Sequence, residues 1–203
     1  MPPPCGRRGC RSEAQEATDF AKALAFALKW EVGNVPNGGY TNDPQDPGGE
    51  TKYGISKRSY PHLDIANLTI SQARDIYHYD YWQAAGEQYS HCSELPWPLN
   101  AVHFDCVVNV GNRKTAQDGS PVLHRRANMI LQRALGVDDD GYFGPVTRAA
   151  LGRIAPLEIA KRAITVRDLY YASLGPWSQR YQAGWHNRTS DLRRVFIPGH
   201  KEA

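Results

Sequence analysis

The sequence predicts a mainly α protein with one small β element after its first long helix. Two observations support this prediction. Apolar residues recur at helical spacing along most of the chain, and the helical period is lost over one long stretch, from Gly33 to Gly54, where glycine and proline are dense. A length of 203 residues suffices for one large or two small domains, and a hydrophobic fraction of 41% is enough to form a core.

The first helix is predicted from a capping box and an apolar stripe. Ser12-Glu13-Ala14-Gln15 has the capping-box pattern, and the helix is expected to run to about Glu31. Phe20, Leu24 and Leu28 recur at four-residue spacing, and Glu31 follows three residues later on the same stripe. Glu31 is therefore expected on the helix face that packs inward.

The β element is expected in the turn-dense stretch. Short strands at Tyr40-Thr41-Asn42 and Thr51-Lys52-Tyr53 could pair there as a hairpin. A second capping box, Thr69-Ile70-Ser71-Gln72, then starts a helix that reaches about Trp82.

The rest of the chain reads as helices. The residues from Pro98 to Val110 are apolar on nearly all sides and predict a buried central helix. Ser120-Pro121 predicts the start of another helix, which Gly136 closes. Three further helices are expected at Pro145–Leu151, Leu157–Leu174 and Pro176–Val195.

Composition narrows the class of partner. The net charge of +3 is mild, Lys and Arg are scattered, and no nucleic-acid motif occurs, so no nucleic-acid partner is expected. No apolar run is long enough to span a bilayer. The basic N-terminal stretch lacks a hydrophobic segment, which predicts no secretory signal and synthesis in a bacterial cytoplasm. The cysteines are expected to be reduced, with a reversible Cys5–Cys10 disulfide left open.

Glu31 is the candidate catalytic acid. It lies on an inward-facing stripe and in the last turn of its helix, at the negative end of the helix dipole. Both features disfavour a charged carboxylate. A glutamate that is protonated near neutral pH is the group that glycoside cleavage uses to protonate the leaving oxygen.

The hairpin supplies candidates for the second catalytic role. Asp43, Asp46 and Thr51 lie just beyond Glu31, where a carboxylate could activate water and a hydroxyl could hold it. The residue pattern alone leaves Asp46 equally able to cap a turn. Flat aromatic faces that could stack on sugars, or pack in the core instead, are available at Tyr40, Tyr53, Tyr81 and Trp82.

Several strings together resemble one known family. The first is Trp30-Glu31 followed by the segment from Gly38-Gly39-Tyr40 through Thr51-Lys52-Tyr53-Gly54-Ile55-Ser56. The others are Ala73-Arg74-Asp75-Ile76-Tyr77 through Asp80-Tyr81-Trp82, Phe104-Asp105-Cys106-Val107-Val108-Asn109-Val110-Gly111 and Gly184-Trp185-His186-Asn187-Arg188. In this order they resemble the phage endolysins and secretion-activator-like N-acetylmuramidases of glycoside hydrolase family 108.

The resemblance implies a lysozyme-like helical fold and cleavage of the β-1,4 bond between N-acetylmuramic acid and N-acetylglucosamine. It places the catalytic acid at Glu31. The chain departs from the family by an insertion, Val32 to Asn37, before Gly38-Gly39-Tyr40. Looser similarity to phage-type lysozymes implies that Asp46 and Thr51 position water, with Asp43 in reserve. Cleavage is expected to be a single displacement with inversion if water lies between Glu31 and the Asp46/Thr51 edge, whereas a separation of about 5 Å between the carboxyl groups would indicate retention.

The remaining site and partner expectations follow from the same resemblance. Substrate contacts are expected from Tyr40, Asp43, Tyr53, Trp82 and Asn109. The expected partner is the peptidoglycan glycan strand. No cofactor or metal is expected. The protein is expected to be a monomer that acts on the wall after release from the host cytoplasm.

The predicted domains are a flexible tail at 1–11, a lysozyme-like catalytic region at 12–116 and a helical region at 117–203 packed against it. Within the last, the segment from Gly136 to Thr147 resembles the turn of peptidoglycan-binding repeats. It could grip the wall or simply connect two helices.

Two other functions remain open from the sequence. A zinc-dependent wall amidase or peptidase could use four ligands, His91, Cys92, His103 and Cys106. A non-catalytic wall-binding protein could keep the fold. Separately, weak contact with an anionic membrane could be made by an arginine-rich face: Arg167, Arg180, Arg188, Arg193 and Arg194.

Overall fold

The computed structural model describes residues 12–33, 35–43, 48–83, 91–110 and 125–199. It confirms a mainly α fold with one small β element. The described elements are α1 (Glu13–Glu31), β1 (Thr51–Lys52), β2 (Ile55–Ser56), α2 (Ile70–Tyr77), α3 (Leu99–Val110), α4 (Arg125–Leu135), α5 (Pro145–Leu151), α6 (Pro156–Ser173) and α7 (Gln179–Phe196). Short 3₁₀ turns lie at Pro36–Gly39, Cys92–Glu94 and Pro176–Ser178, and a π-helical turn at His78–Trp82 continues α2.

The centre of the helical packing is α3. Every residue from Leu99 to Val107 is buried, and α3 contacts α1, α4, α6 and α7. A helix that is covered on all sides needs no polar face, so the predicted buried central helix is confirmed. Its buried polar side chains need partners inside the protein. Asn100 has one, because its side-chain amide donates to the buried Asp19 carboxylate of α1 at 3.0 Å.

Two helix starts follow the predicted capping chemistry to different degrees. The full capping box forms at Thr69 and Gln72, and it fixes the start of α2. At the start of α1 the Ser12 hydroxyl accepts from the Gln15 amide at 3.1 Å. The Gln15 side chain instead donates to Asp19 at 2.8 Å, since Asp19 lies one turn further along the helix.

The predicted pairing of the Thr41 segment with Thr51 forms as a single bridge, and the two-stranded sheet itself lies elsewhere. The two-stranded sheet joins β1 to β2 across Tyr53-Gly54, with Thr51 opposite Ser56. The segment around Thr41 reaches β1 through one isolated bridge, Thr41 to Thr51, with both N–H···O distances at 2.9 Å. The β1–β2 pairing forms because Tyr53 and Gly54 both adopt positive φ, which a two-residue hairpin turn requires.

One buried side chain holds the turn between α4 and α5. Gln132 of α4 is 2% exposed and donates to Asp140, to the Tyr142 carbonyl and to Thr147 at 2.7, 3.0 and 3.1 Å. Its carbonyl oxygen accepts from the Gly141 amide at 2.8 Å. The glutamine therefore fixes the Gly136–Thr147 turn from inside the fold, while a wall-gripping role for this turn stays a prediction.

No helix in the described ranges is both long enough and apolar enough to cross a membrane.

Candidate active site

Glu31 is the last residue of α1, and its side chain is 25% exposed. Beneath it on the helix, Phe20 and Leu24 are buried and Leu28 is half-buried against the core. Because this stripe fixes the rotation of α1, the carboxyl group is held at the boundary between core and solvent.

The β1–β2 turn packs directly against Glu31. Gly54 has a φ of +75°, and a Cβ at this position would lie 3.3 Å from the Cβ of Glu31 and 2.7 Å from the Tyr77 hydroxyl. That hydroxyl donates to the Tyr53 carbonyl oxygen at 3.0 Å. Only glycine satisfies both the backbone conformation and the close approach. The turn therefore presents bare backbone to the Glu31 carboxyl.

A second glycine fixes the neighbouring tyrosine. A Cβ at Gly38 would lie 2.4 Å from the Tyr53 ring, and the Tyr53 amide donates to the Gly38 carbonyl at 2.8 Å. The ring is thus clamped against the 3₁₀ turn at Pro36–Gly39. Sugar contact by Tyr53, which is half-buried, stays a prediction.

On its other side Glu31 meets an arginine from the far end of the chain. Nη1 of Arg188, on α7, donates to Oε1 of Glu31 at 2.6 Å. The Arg188 side chain is 5% exposed. Among the described residues, no other group hydrogen bonds to the Glu31 carboxyl. One oxygen of the carboxyl is therefore fixed and the other is available.

Arg188 is itself held by a buried aspartate. Nη2 and Nε of Arg188 donate to Oδ1 of Asp105 at 2.7 and 3.0 Å, and Nη1 of Arg167 donates to Oδ2 of Asp105 at 2.7 Å. Burial alone would raise the pKa of the Asp105 carboxyl, but Arg188 and Arg167 outweigh it and hold that pKa below its ordinary value. Burial alone would lower the pKa of the Arg188 guanidinium, but the carboxylates of Asp105 and Glu31 outweigh it and hold that pKa above its ordinary value. The network stays fully ionised.

The network ends at Asn109, one turn after Asp105 on α3. Arg167 donates through Nη2 to Asn109 Oδ1 at 3.1 Å and through Nε to the Tyr171 hydroxyl at 2.7 Å. The Tyr171 hydroxyl in turn donates to Asn109 Oδ1. The Asn109 carbonyl oxygen is thus used inside the protein. A substrate contact by Asn109 stays a prediction, and its amide group is the part left to make it.

Two tyrosines beside Glu31 remain neutral phenols. Burial, and next the negative charge of Glu31, raise the pKa of Tyr77 well above its ordinary value. Burial, then Asp80, then Glu31 raise the pKa of Tyr81 in the same direction. Both hydroxyls therefore act near the Glu31 carboxyl as hydrogen-bonding groups and not as anions.

A second tie joins the end of α1 to α7. Oδ2 of Asp191 accepts from Lys29 Nζ at 2.7 Å and from Trp30 Nε1 at 3.0 Å. Oδ1 of the same carboxylate pairs with Arg194. With the Arg188 contact, this fixes the last turn of α1 at two points.

The site residues predicted in and around the hairpin lie in different surroundings. Thr51 lies in β1, and its hydroxyl donates to the Gly49 carbonyl at 3.2 Å. Tyr40 donates to Glu50 at 2.8 Å, and this hydrogen bond raises the pKa of Tyr40. Asp43 is exposed. Asp46 lies outside the described residues, so its role stays a prediction, as do those of Thr51, Tyr40 and Asp43.

Trp82 is a core residue, and its predicted sugar contact is wrong. Its exposed fraction is 0%. The ring packs on Phe20 and Phe104 with centroid distances of 5.5 and 5.6 Å, and Nε1 donates to Glu16 at 3.3 Å. Continuation of α2 by the π-helical turn rotates Trp82 into the core.

The residues considered for zinc do not form a ligand set in the part of the chain that the structure describes, where no group of three or more His, Cys, Asp or Glu could hold a metal ion. Cys92 and Cys106 are buried thiols, and burial raises the pKa of Cys106 to about 11. His91 binds Glu94 at 2.6 Å and stacks on Phe143. Cys5 and Cys10 lie outside the described residues.

Four of the five arginines that were predicted to form an exposed face are engaged in ion pairs within the chain. Arg167 and Arg188 are buried in the Asp105 network, because a buried carboxylate on α3 draws both inward. Two more are engaged at the surface, in the pairs Arg193–Asp168 and Arg194–Asp191. Contact with an anionic membrane stays a prediction.

Asp105 and Arg188 lie in two of the motifs that carry the family resemblance, but no role in the site was predicted for either. An aspartate inside a helix that is apolar on all sides was the available signal, since a buried carboxylate needs a cationic partner. The sequence could not name that partner, because Arg188 lies 83 residues away from Asp105.

Comparisons with known proteins relate the chain to two families and one solved structure. Residues 25–111 match the family described as Glycosyl hydrolase 108, and residues 126–190 match the family described as Predicted Peptidoglycan domain. The chain is similar to the solved structure of Brucella abortus SagA, with 28% sequence identity, a TM-score of 0.66, and coverage of 88% of this chain and 93% of that one. A search of curated proteins found no match.

Proposed function

We propose that this chain is a muramidase of the glycosyl hydrolase 108 family, because residues 25–111 match that family and residues 126–190 match a peptidoglycan domain. It is a glycoside hydrolase, and peptidoglycan is its substrate. The proposal concerns the bond: the β-1,4 link between N-acetylmuramic acid and N-acetylglucosamine.

The observation that carries the proposal is the hydrogen bonding of Glu31. Oε1 accepts from Arg188 at 2.6 Å, and the other carboxyl oxygen has no hydrogen-bond partner among the described residues. A proton on this carboxyl therefore resides on Oε2. The backbone of Gly54 closes one side of the group without a side chain, so a sugar oxygen can approach.

In the proposed reaction Glu31 is the general acid. Its proton passes to the oxygen that leaves the anomeric carbon of N-acetylmuramic acid, and the bond between that carbon and oxygen breaks. Water adds to the anomeric carbon. Its proton passes to a carboxylate, for which Asp46 is the first candidate and Asp43 the second. Thr51 is proposed to hold the water, and attack from the opposite face gives inversion.

Reducing-sugar release from purified peptidoglycan tests the role of Glu31. We expect Glu31→Gln to lower turnover by about 10²- to 10⁴-fold, because the amide cannot supply the proton. The matched control is Glu13→Gln, an exposed glutamate at the other end of the same helix, which should keep wild-type turnover. Mass spectrometry of the fragments should find muramic acid at the new reducing ends.

Other outcomes point elsewhere. Retained turnover in folded Glu31→Gln would make Glu31 structural. Cleaved amide bonds, together with loss of activity on adding a chelator, would favour the zinc hydrolase. Binding of peptidoglycan without any release of reducing sugar would favour a wall-binding protein.

The biological role that we propose is that of a phage endolysin, which reaches the wall after release from the host cytoplasm. The resemblance of its motifs to phage endolysins supports this role. Bacteria that make the protein in the cytoplasm should remain intact until the membrane is permeabilised, and should then lyse. Lysis without permeabilisation would contradict the dependence on release.

A further inference from the structure

A row of aromatic side chains lies along α7 and the 3₁₀ turn that precedes it. We call Trp177, Tyr181 and Trp185 the aromatic row. They follow one another at four-residue spacing, and Arg188 comes three residues after the last, so all four lie along one helix stripe. The ring centroids of Trp177 and Tyr181 are 6.5 Å apart, and those of Tyr181 and Trp185 are 5.6 Å apart.

Core packing does not account for the outer part of the row. Trp177 is 63% exposed and Tyr181 is 42% exposed, while Trp185 is half-buried. Large apolar side chains that are exposed side by side are uncommon on a soluble surface and mark binding sites. The aromatic row therefore points to a ligand with apolar faces.

The row is continuous with the catalytic carboxyl by two routes. Along the helix, it ends at Arg188, which donates to Glu31 at 2.6 Å. Across to α6, Trp185 stacks on Tyr171 with a centroid distance of 4.7 Å and an interplanar angle of 15°. Tyr171 belongs to the same hydrogen-bonded network as Asp105. The buried end of the row is thus rigid, and its exposed end leads away from Glu31.

The substrate class identifies the occupant. A glycan strand is a polymer, so its sugar rings must extend from the scissile bond over the surface next to Glu31. The faces of pyranose rings carry C–H groups that stack on aromatic rings. We propose that the aromatic row is a glycan-binding track, on which sugar rings beyond the catalytic subsites stack. This proposal rests on the proposed function for its substrate.

The test measures binding in the Glu31→Gln background, so that no strand is cleaved. The probes are peptidoglycan strands freed of their stem peptides, as tetrasaccharides and as long strands. In the double variant Trp177→Ala/Tyr181→Ala we expect affinity for long strands to fall about tenfold, as two lost stacking contacts imply. Affinity for tetrasaccharides should fall less, so the ratio of long-strand to tetrasaccharide affinity should drop.

Two controls separate stacking from a general effect. Tyr79→Ala removes an aromatic side chain that is 64% exposed and lies outside the row, and it should keep the wild-type ratio. Trp177→Phe/Tyr181→Phe retains flat faces and should restore most of the affinity for long strands.

An unchanged ratio of long-strand to tetrasaccharide affinity in Trp177→Ala/Tyr181→Ala would overturn the proposal of a glycan-binding track. So would a variant that keeps strand binding but loses binding to anionic vesicles or to stem peptides, because the row would then serve a different ligand. Failure of the proposed function looks different. If the wild type does not cleave glycosidic bonds but the alanine variant still loses affinity for long strands, the track stands and the muramidase assignment falls.

Discussion

The two sides of Glu31 are built in opposite ways. On the hairpin side, Gly54 presents only backbone, and a Cβ there would lie 3.3 Å from the Cβ of Glu31. On the α7 side, Arg188 brings a full charge that Asp105 balances from inside the core. We call the Gly54 side of the site the glycine wall and the Arg188–Asp105 side the charged wall. The glycine wall depends on the absence of a side chain, and the charged wall depends on buried side chains of opposite charge.

This difference separates two properties of the Glu31 carboxyl. The glycine wall determines how closely backbone and substrate approach Glu31. The charged wall determines the orientation of the carboxyl, because a guanidinium group gripped by an aspartate cannot rotate away from it. Substitutions on the two sides should therefore fail differently. On the glycine side the loss should be in activity, and on the charged side it should be in stability, with a loss of activity as well where Glu31 loses its hydrogen bond to Arg188.

The largest effect on stability is expected for Asp105→Asn. It leaves Arg167 and Arg188, whose side chains are 1% and 5% exposed, without their shared anion. We expect a loss of about 3–5 kcal/mol in the free energy of unfolding, measured by urea denaturation. The control is Asp139→Asn, whose partner Arg133 is 47% exposed, and it should cost less than about 1 kcal/mol.

The pH dependence sharpens this prediction. Because the pKa of Asp105 lies below its ordinary value in the folded protein, its stabilisation is complete above the ordinary carboxyl range. It is lost as the pH falls through the lowered pKa. The stability gap between wild type and Asp105→Asn should therefore close only in acid. A gap that closes towards alkaline pH would contradict the assignment.

The largest effect on activity from the glycine side is expected for Gly54→Ala. The added Cβ would meet the Tyr77 hydroxyl at 2.7 Å and push on Glu31, and misplacement of a catalytic group costs about a hundredfold in turnover. Gly136→Ala is a matched control, since Gly136 has a φ of +73° and open space around its Cβ position. Both variants pay for the left-handed backbone, and only Gly54→Ala should lose turnover.

How much of this site could be predicted depends on which wall is considered. The glycine wall is local in sequence, so the turn-dense stretch and Glu31 at the end of an apolar stripe were both predictable. The charged wall joins residues 83 and 157 positions apart, and no local pattern reports such a pairing. Asp105 in the apolar helix α3 indicated that a cationic partner was needed, but not which residue supplies it.

The failures have the same physical origin. Trp82 was predicted at the surface because the sequence pattern around an aromatic residue is the same whether its ring contacts a sugar or the core. Trp82 is 0% exposed and lies at the end of a π-helical turn, which the sequence did not predict. The pairing of β1 with β2 was missed, and the predicted pairing is limited to the Thr41–Thr51 bridge, because alternation over three residues does not fix register. Helix boundaries fared better, since caps and glycines mark them locally.

An intermediate effect is expected for Arg188→Lys. An ammonium keeps the charge but cannot grip Asp105 with two nitrogens and reach Glu31 with a third, as the guanidinium does. We expect kcat to fall about tenfold, the value of one lost charge-assisted hydrogen bond, with a smaller change in KM. The control is Arg162→Lys at a surface pair in which Arg162 is 49% exposed.

The smallest effect is expected for Asp191→Asn, at the other tie between α1 and α7. Burial would raise the pKa of Asp191, but hydrogen bonds from Lys29, Arg194 and Trp30 outweigh it and hold that pKa below its ordinary value. Lys29 and Arg194 are 57% and 59% exposed, so solvent screens both charges, and the amide still offers an acceptor to Trp30. We expect a loss below about 1 kcal/mol in the free energy of unfolding, shrinking further in high salt. A loss as large as that of Asp105→Asn would mean that burial does not decide which ion pair holds the end of α1, and the contrast between the two walls would fail with it.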